Sequence, residues 1–283
     1  MRIGFVTCVE LGRACIEALV ELGAPIELLM TLHDDVDVAK SGRVFLDDLA
    51  SEHEIPLVKV RDVNEPSAVR VIEAADLDWL FIIGWSQVAG PQVLASPRRG
   101  ALGMHPTLLP EGRGRAPIPW TILKGLPETG VTLFQLDEGV DTGPILGQER
   151  IPVDDDETAT SLYGKVTAAH VSLLHAVWPQ LLDGTVVARA QDEAAATTWP
   201  RRRPEDGAFS FATSTTVDVD RLVRALTHPY PGAFTHWRGG VLRVWSGRPV
   251  SVGDAPSAPM TFSTLDGHYE VTDYSLELGE ETS

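Results

Sequence analysis

Cysteine is scarce in this chain. Only Cys8 and Cys15 occur, too few for a disulfide framework and without the spacing of a metal site, so both read as small buried side chains. Basic residues are also in short supply: 23 Lys and Arg against 40 Asp and Glu give a net charge of -17. A surface that grips a phosphate backbone gains affinity from Lys and Arg displacing counterions, so nucleic acid is not an expected partner. Long hydrophobic runs are missing too. None approaches the roughly 18 consecutive apolar residues of a membrane span, and Met1-Arg2 leads into IGFVT without a signal-peptide pattern. The expected location is cytoplasmic, with no membrane partner. The first strand-to-helix turn, VTCVELG, lacks G-x-G-x-x-G, which removes the main sequence support for a nicotinamide-dependent dehydrogenase.

The chain nevertheless has 43% hydrophobic residues over 283 positions, enough for one full α/β domain and a smaller one. Short apolar runs alternate with helical spacing: RIGFVT, LGRACIEALVELG, PIELLMTL, a helix near VFLDDLASEH, PLVKV, a helix near PSAVRVIEAA, then DWLFII and ALGMH. This pattern predicts a Rossmann-like α/β fold, a mainly parallel sheet with helices on both faces. APIPWTILKG reads as a short helix, GVTLFQL and ILGQERIPV as strands, and DEGVDTGP as a glycine-bearing loop between them. Asp154 to Asp156 precede a long helical segment, placed to favour its amino end. That segment carries His170 and His175, whose spacing does not suit a metal pair, and both read as structural. After TTWPRRRPEDG the pattern changes to strand-like pieces, AFSFAT, GAFTHWRG and VLRVWSG, with one helix near DVDRLVRALTH. The expected division is 1–198 for the larger domain and 199–283 for a smaller, β-rich, OB-like one, ending in a polar, frayed GEETS.

Ligands of such sheets sit beyond the carboxyl ends of the strands. Two groups suited to proton transfer fall there: His105, closing ALGMH, and Asp141, in LDEGVDTGPIL. A histidine can take a proton from an attacking amine and return it to a leaving group, while a carboxylate beside it fixes its tautomer and stabilises its cation. Together they suit acyl transfer. The arginines cluster at Arg113 and Arg115 and again at 201–203, a pattern open to two readings, recognition of a small anion or solvated turns.

HPTLLPEGRGRAPIPW resembles the HxSLLPxxRGxxP signature of the 10-formyltetrahydrofolate-dependent formyltransferases, and GVTLFQLDEGVDTGPIL resembles that family's second motif. The resemblance, to the methionyl-tRNA formyltransferase-like family, extends through KSGRVFLDDLASEHEIPL, DWLFIIGWSQ, RRRPEDG, HPYPGAF and VLRVWSG. The last pieces look most like sugar N-formyltransferases, such as the aminoarabinose formyltransferase domain. The resemblance implies a formyl transfer from 10-formyltetrahydrofolate to a primary amine, with His105 as base or oxyanion partner and Asp141 orienting it. It implies a folate held by backbone groups of Gly84, Trp85 and Ser86 in one loop and of Asp137, Glu138, Gly139 and Val140 in another. It further implies substrate contacts from Arg115 and from Arg201 or Arg202, whose forks suit a diphosphate, and gives Arg113 the task of holding its loop. HPYPGAF reads as a domain-interface turn or a substrate contact. A homodimer is one assembly consistent with the family, although the sequence carries no interface signal.

One position departs from the pattern: where the family has an asparagine two residues before the histidine, this chain has Gly103. A side-chain amide on a developing oxyanion is worth about 3 kcal/mol, and glycine supplies none. Three explanations stand open: a water or neighbouring side chain fills the gap, the donor or acyl group has changed, or the protein binds folate or another metabolite without turnover. Glycine also leaves room for a larger acceptor above it. Among acceptors, tRNA is disfavoured by the acidic LHDDVDVAKSG, which stands where the tRNA branch carries a basic insertion. The purine branch, which lacks a second domain of this type, is disfavoured as well. A nucleotide-linked amino sugar fits best, with another small amine or hydroxylamine as the alternative.

Overall fold

A computed structural model describes residues 1–36, 41–250 and 260–278. The expectations for GEETS and for part of LHDDVDVAKSG fall outside the described residues. The chain runs β1 (Ile3–Val6), α1 (Glu10–Glu21), β2 (Ile26–Leu32), α2 (Asp47–Glu52), β3 (Leu57–Val60), α3 (Pro66–Ala74), β4 (Trp79–Ile82), α4 (Pro91–Ala95), β5 (Gly100–His105) and β6 (Arg113–Gly114). It continues through α5 (Pro117–Leu123), β7 (Glu128–Gln135), β8 (Ile145–Pro152), α6 (Ala159–Asp183), β9 (Thr198–Trp199), α7 (Thr216–Leu226), β10 (Ala233–Trp237), β11 (Gly240–Val250), β12 (Met260–Ser263) and β13 (His268–Leu278).

Two compact units emerge, each discontinuous in sequence. The first comprises Met1–Gly114, Thr129–Ile151 and Lys165–Thr198; the second comprises Arg115–Glu128, Pro152–Gly164 and Trp199–Ser283.

In the first unit a seven-stranded sheet has the order β3-β2-β1-β4-β5-β7-β8. Strands β1 to β5 pair in parallel, whereas β5 and β7 are antiparallel. The order reverses at β1, and right-handed crossovers in the two directions bring helices to both faces. That arrangement explains the unbroken apolar strands IGFV and WLFI, whose residues are all buried. One core layer joins Val6, Leu28, Met30, Leu80 and Ile82 of the sheet to Ala68, Val69 and Ile72 of α3.

The second unit holds a four-stranded sheet in the order β10-β11-β13-β12, all pairs antiparallel. Helix α7 packs on β11, with Val219, Val223 and Leu226 buried on the helix and Leu242 and Val244 on the strand.

One local reading is overturned, and three other segments gain detail. AFSFAT is not a strand: Ala208 makes one bridge to Phe234 and Phe211–Thr213 forms a 3-10 turn. Its alternating phenylalanines serve an aromatic cluster instead, Phe211 stacking on Phe262 at 4.2 Å and meeting Phe209 edge-on at 4.9 Å. The helix in VFLDDLASEH spans only Asp47–Glu52. The long helix α6 is capped by Thr158, whose Oγ1 accepts from the Ser161 amide at 3.1 Å while Ser161 Oγ accepts from the Thr158 amide at 3.0 Å. The reciprocal pair satisfies two backbone donors locally, and the aspartates at 154–156 lie just before it. Finally, β12 and β13 went unread; Tyr269 and Val271 of β13 are buried, whereas Tyr274 and Leu276 are exposed.

Candidate active site

His105 is the last residue of β5 and only 7% exposed. Its Nε2 lies 2.9 Å from the carbonyl oxygen of Gly112. A carbonyl only accepts, so this partner assigns the proton to Nε2 and leaves Nδ1 of the neutral ring as a bare lone pair. Nδ1 faces Oδ2 of Asp141 at 3.6 Å. That separation is an ion-pair contact for a protonated ring rather than a hydrogen bond. The expectation that the carboxylate fixes the tautomer is therefore corrected: Gly112 does so, because its carbonyl is the partner within bonding distance.

Asp141 is placed by the same loop. Its Oδ2 accepts the Gly114 amide hydrogen at 2.8 Å. Glycines flank Arg113 because residues 112 and 114 take φ of +72° and +109°, a path that side chains resist. The turn aims the 112 carbonyl at the histidine and the 114 amide at the aspartate.

Arg113 is buried at 6% exposure and holds the next layer. It donates to Gln191 Oε1 from Nε at 3.1 Å and Nη2 at 2.8 Å, and to both Glu193 oxygens at 2.6 and 2.9 Å. Gln191 then donates through Nε2 to the carbonyls of Asp141 at 2.9 Å and Gly143 at 2.7 Å. Neither Gln191 nor Glu193 was read from the sequence. They lie in an irregular stretch, and no periodicity marks them. Thr132 was missed as well. Its hydroxyl donates to the Thr107 carbonyl at 2.7 Å and accepts from the Leu109 amide at 3.0 Å and from Gln148 Nε2 at 2.9 Å, fixing the chain just after His105.

Gly103 shares β5 with His105, two residues earlier. A Cβ built there would lie 2.7 Å from Leu136 Cδ2 and 3.3 Å from Phe134 Cε1. The room expected above this glycine is thus taken by hydrocarbon. Leu136 is held in place by its own amide, which donates to the Ala101 carbonyl at 2.8 Å, and by packing on Leu109, Phe134 and Ile145.

Gly84, Trp85 and Ser86 follow β4, with Gly84 at φ +68°. A Cβ at Gly84 would lie 2.3 Å from Val9 Cγ2, so Val9 packs against this turn. Glu10 stands in the first turn of α1. Trp85 packs at the edge of the core layer, and its indole nitrogen is buried without an acceptor in the protein. In the second loop, Asp137 Oδ1 accepts from the Gly139 amide at 3.0 Å and from Thr142 Oγ1 at 2.6 Å. These bonds shape a turn from which Glu138 projects and Val140 stands 57% exposed.

His170 on α6 is buried at 1% exposure and donates through Nδ1 to the Val166 carbonyl at 2.8 Å. Burial holds its pKa down at about 4, with the nearby His105 adding in the same direction.

The remaining predicted residues belong to the second unit. Arg115 is exposed, and its amide donates to the Trp199 carbonyl at 3.1 Å. Arg201 is exposed. Arg202 stacks its guanidinium over Trp120 at 5.0 Å and donates through Nη2 to the Asp206 carbonyl at 2.7 Å, while its Nε is buried without an acceptor in the protein. Lys124 lies 5.9 Å from the rings of both Trp120 and Trp199. Among the described residues no cluster of His, Cys, Asp or Glu is arranged to hold a metal, and no helix is long and apolar enough to cross a membrane.

Solved structures share this fold. HypX from Aquifex aeolicus in complex with tetrahydrofolic acid is 19% identical, with a TM-score of 0.69 over 97% of this chain and 44% of HypX. This chain therefore spans less than half the length of HypX. Methionyl-tRNA formyltransferase from Clostridium thermocellum is 18% identical, with a TM-score of 0.66 over 99% of this chain and 100% of the other. An N-formyltransferase from Helicobacter canadensis, in complex with folinic acid and dTDP-3-aminofucose, is 16% identical, with a TM-score of 0.68 over 96% and 99% of the two chains. At such identities the likeness is one of fold. The sequence itself matches the formyl transferase model over residues 27–178 and the formyl transferase C-terminal domain over residues 202–269. Those matches cover more than half of the chain, which belongs to the formyl transferase family.

Proposed function

We propose that the protein transfers a formyl group from 10-formyltetrahydrofolate to the primary amine of a small acceptor, a nucleotide-linked amino sugar. The observation that carries the reading is the pairing of His105 with Asp141 at the carboxyl end of β5, where the Gly112 bond leaves Nδ1 free to accept a proton. The folate, when bound, supplies a formyl carbon attached to a nitrogen leaving group. As the acceptor nitrogen bonds to that carbon, His105 takes its proton at Nδ1, and Asp141 faces the resulting cation. The same proton returns to the leaving nitrogen as its bond to the formyl carbon breaks.

Features of the two loops support a folate site. The loop after β4, with Gly84 at φ +68°, presents backbone groups, and the exposed Val140 offers an apolar surface to a ring. Support for an anionic acceptor comes from Arg115 and Arg201, both exposed. An aminosugar nucleotide also agrees with the ligand of the Helicobacter canadensis relative and with the acidic net charge of -17, which disfavours tRNA.

Incubation with 10-formyltetrahydrofolate and dTDP-3-aminofucose, followed by mass spectrometry, tests the reading. The expected product carries one added formyl group, and its yield falls in Arg115→Ala through a raised acceptor KM. Calorimetric binding of 5-formyltetrahydrofolate without transfer to any amine would favour the silent binder. No binding at all would sink the folate reading.

A further inference from the structure

Asp141 adopts a left-handed backbone conformation that few non-glycine residues take. Its φ is +55°, in the left-handed region where a non-glycine residue persists when its surroundings hold it. Two contacts do so. The Gly114 amide holds the carboxylate at 2.8 Å, and Gln191 Nε2 holds the backbone carbonyl at 2.9 Å while also gripping the Gly143 carbonyl at 2.7 Å. The other end of the same amide receives Arg113 at 2.8 and 3.1 Å. One side chain therefore ties the loop that carries Asp141 to the turn that presents Gly112 to His105 and Gly114 to Asp141. Both N–H donors and both oxygen lone pairs of the Gln191 amide are directed to one of those two segments, so the contact is specific in direction: the oxygen to the cation, the nitrogen to the carbonyls.

We infer that Gln191 is a positioning residue of the formyl-transfer site, setting the 3.6 Å separation of Asp141 from His105 through the 141–143 backbone. The inference rests on the reading of His105 and Asp141 as the proton-transferring pair. Gln191→Glu is the informative variant. It keeps the acceptor for Arg113 and places a carboxylate oxygen against two carbonyls, so the aspartate loop is released while the arginine stays anchored. Gln191→Met, of similar length and without polar ends, is the second variant should the first fold poorly.

The test uses the full chain with 13C-labelled histidine, the His105 ring signal being assigned by its loss in His105→Gln. In Gln191→Glu the His105 Cε1–Hε1 resonance is expected to move toward its position in Asp141→Asn, while the His170 resonance stays put and reports an intact fold. With 10-formyltetrahydrofolate and dTDP-3-aminofucose, kcat is expected to fall on the order of 10 to 100-fold with little change in KM for the donor. In an Asp141→Asn background the same substitution is expected to change kcat by less than about twofold. A His105 resonance unmoved in both Gln191 variants, or a full effect of Gln191→Glu in the Asp141→Asn background, would overturn the positioning role. A wild type without turnover would instead overturn the formyl-transfer reading, and the resonance would still decide whether Gln191 places Asp141.

Discussion

Oδ2 of Asp141 stands 3.6 Å from Nδ1 of His105. The distance is too long for a strong hydrogen bond in the resting ring and short enough for an ion pair once the ring is charged. Asp141→Asn should therefore spare folding and lower kcat by on the order of 10²-fold or more. With the pair acting as proposed, the double variant with His105→Gln should be little slower than the worse single one. Single-turnover rates with 10-formyltetrahydrofolate measure both.

Restoring an amide at residue 103 meets a packed leucine. Gly103→Asn puts a Cβ within 2.7 Å of Leu136 Cδ2, an overpacking expected to cost about 1–3 kcal/mol. Adding Leu136→Ala should recover a large part of that loss, and chemical denaturation of the four chains gives the coupling. If the single variant were as stable as the wild type, the leucine would not be the obstacle. The rate of the double variant then reports whether an amide there aids the reaction.

Thr132 supplies one hydroxyl to three partners. Thr132→Val preserves shape and leaves the Leu109 amide and the Thr107 carbonyl without that partner in a buried place. A loss on the order of 2–4 kcal/mol is expected, larger than for removing a surface hydroxyl, because the desolvated groups cannot turn to water. Urea unfolding midpoints at constant slope would show it.

The buried His170 makes stability depend on acidity. Its pKa is lowered from 6.5 to about 4 by burial, so between those values the unfolded chain binds a proton that the folded chain refuses. The stability it leaves intact is fully present above about pH 6.5 and declines as pH falls toward 4. At about 1.4 kcal/mol per unit the decline is on the order of 3 kcal/mol. Thermal unfolding of the wild type and of His170→Leu across pH 7 to 4 should give a shallower slope for the variant, and parallel slopes would remove His170 as the cause.

Much of the fold was legible because its signals are local. The apolar runs IGFV and WLFI announce strands covered on both faces, and the periodic segment after Thr158 announces a long helix. AFSFAT misled for the same reason. Phe209 and Phe211 alternate like strand residues, but what they answer to is Phe262, fifty residues away in the sequence and stacked on Phe211 at 4.2 Å. The site shows the same division. His105, Asp141 and Arg113 stand in dense motifs, whereas Gln191 and Thr132 have no local mark, since a side-chain amide or hydroxyl acquires its role only from the carbonyls brought to it.

By itself the sequence determined the alternation of strands and helices, the net charge of -17, and the glycine-flanked Arg113 turn, because these depend on residue type and spacing alone. Tertiary structure alone decided that Gly112 rather than Asp141 sets the His105 tautomer, that Leu136 occupies the space over Gly103, and that Gln191 spans the two loops. Each of those depends on distances of a few ångströms between segments remote in the chain, and hydrogen bonds and packing are too short-ranged to be written in either segment separately.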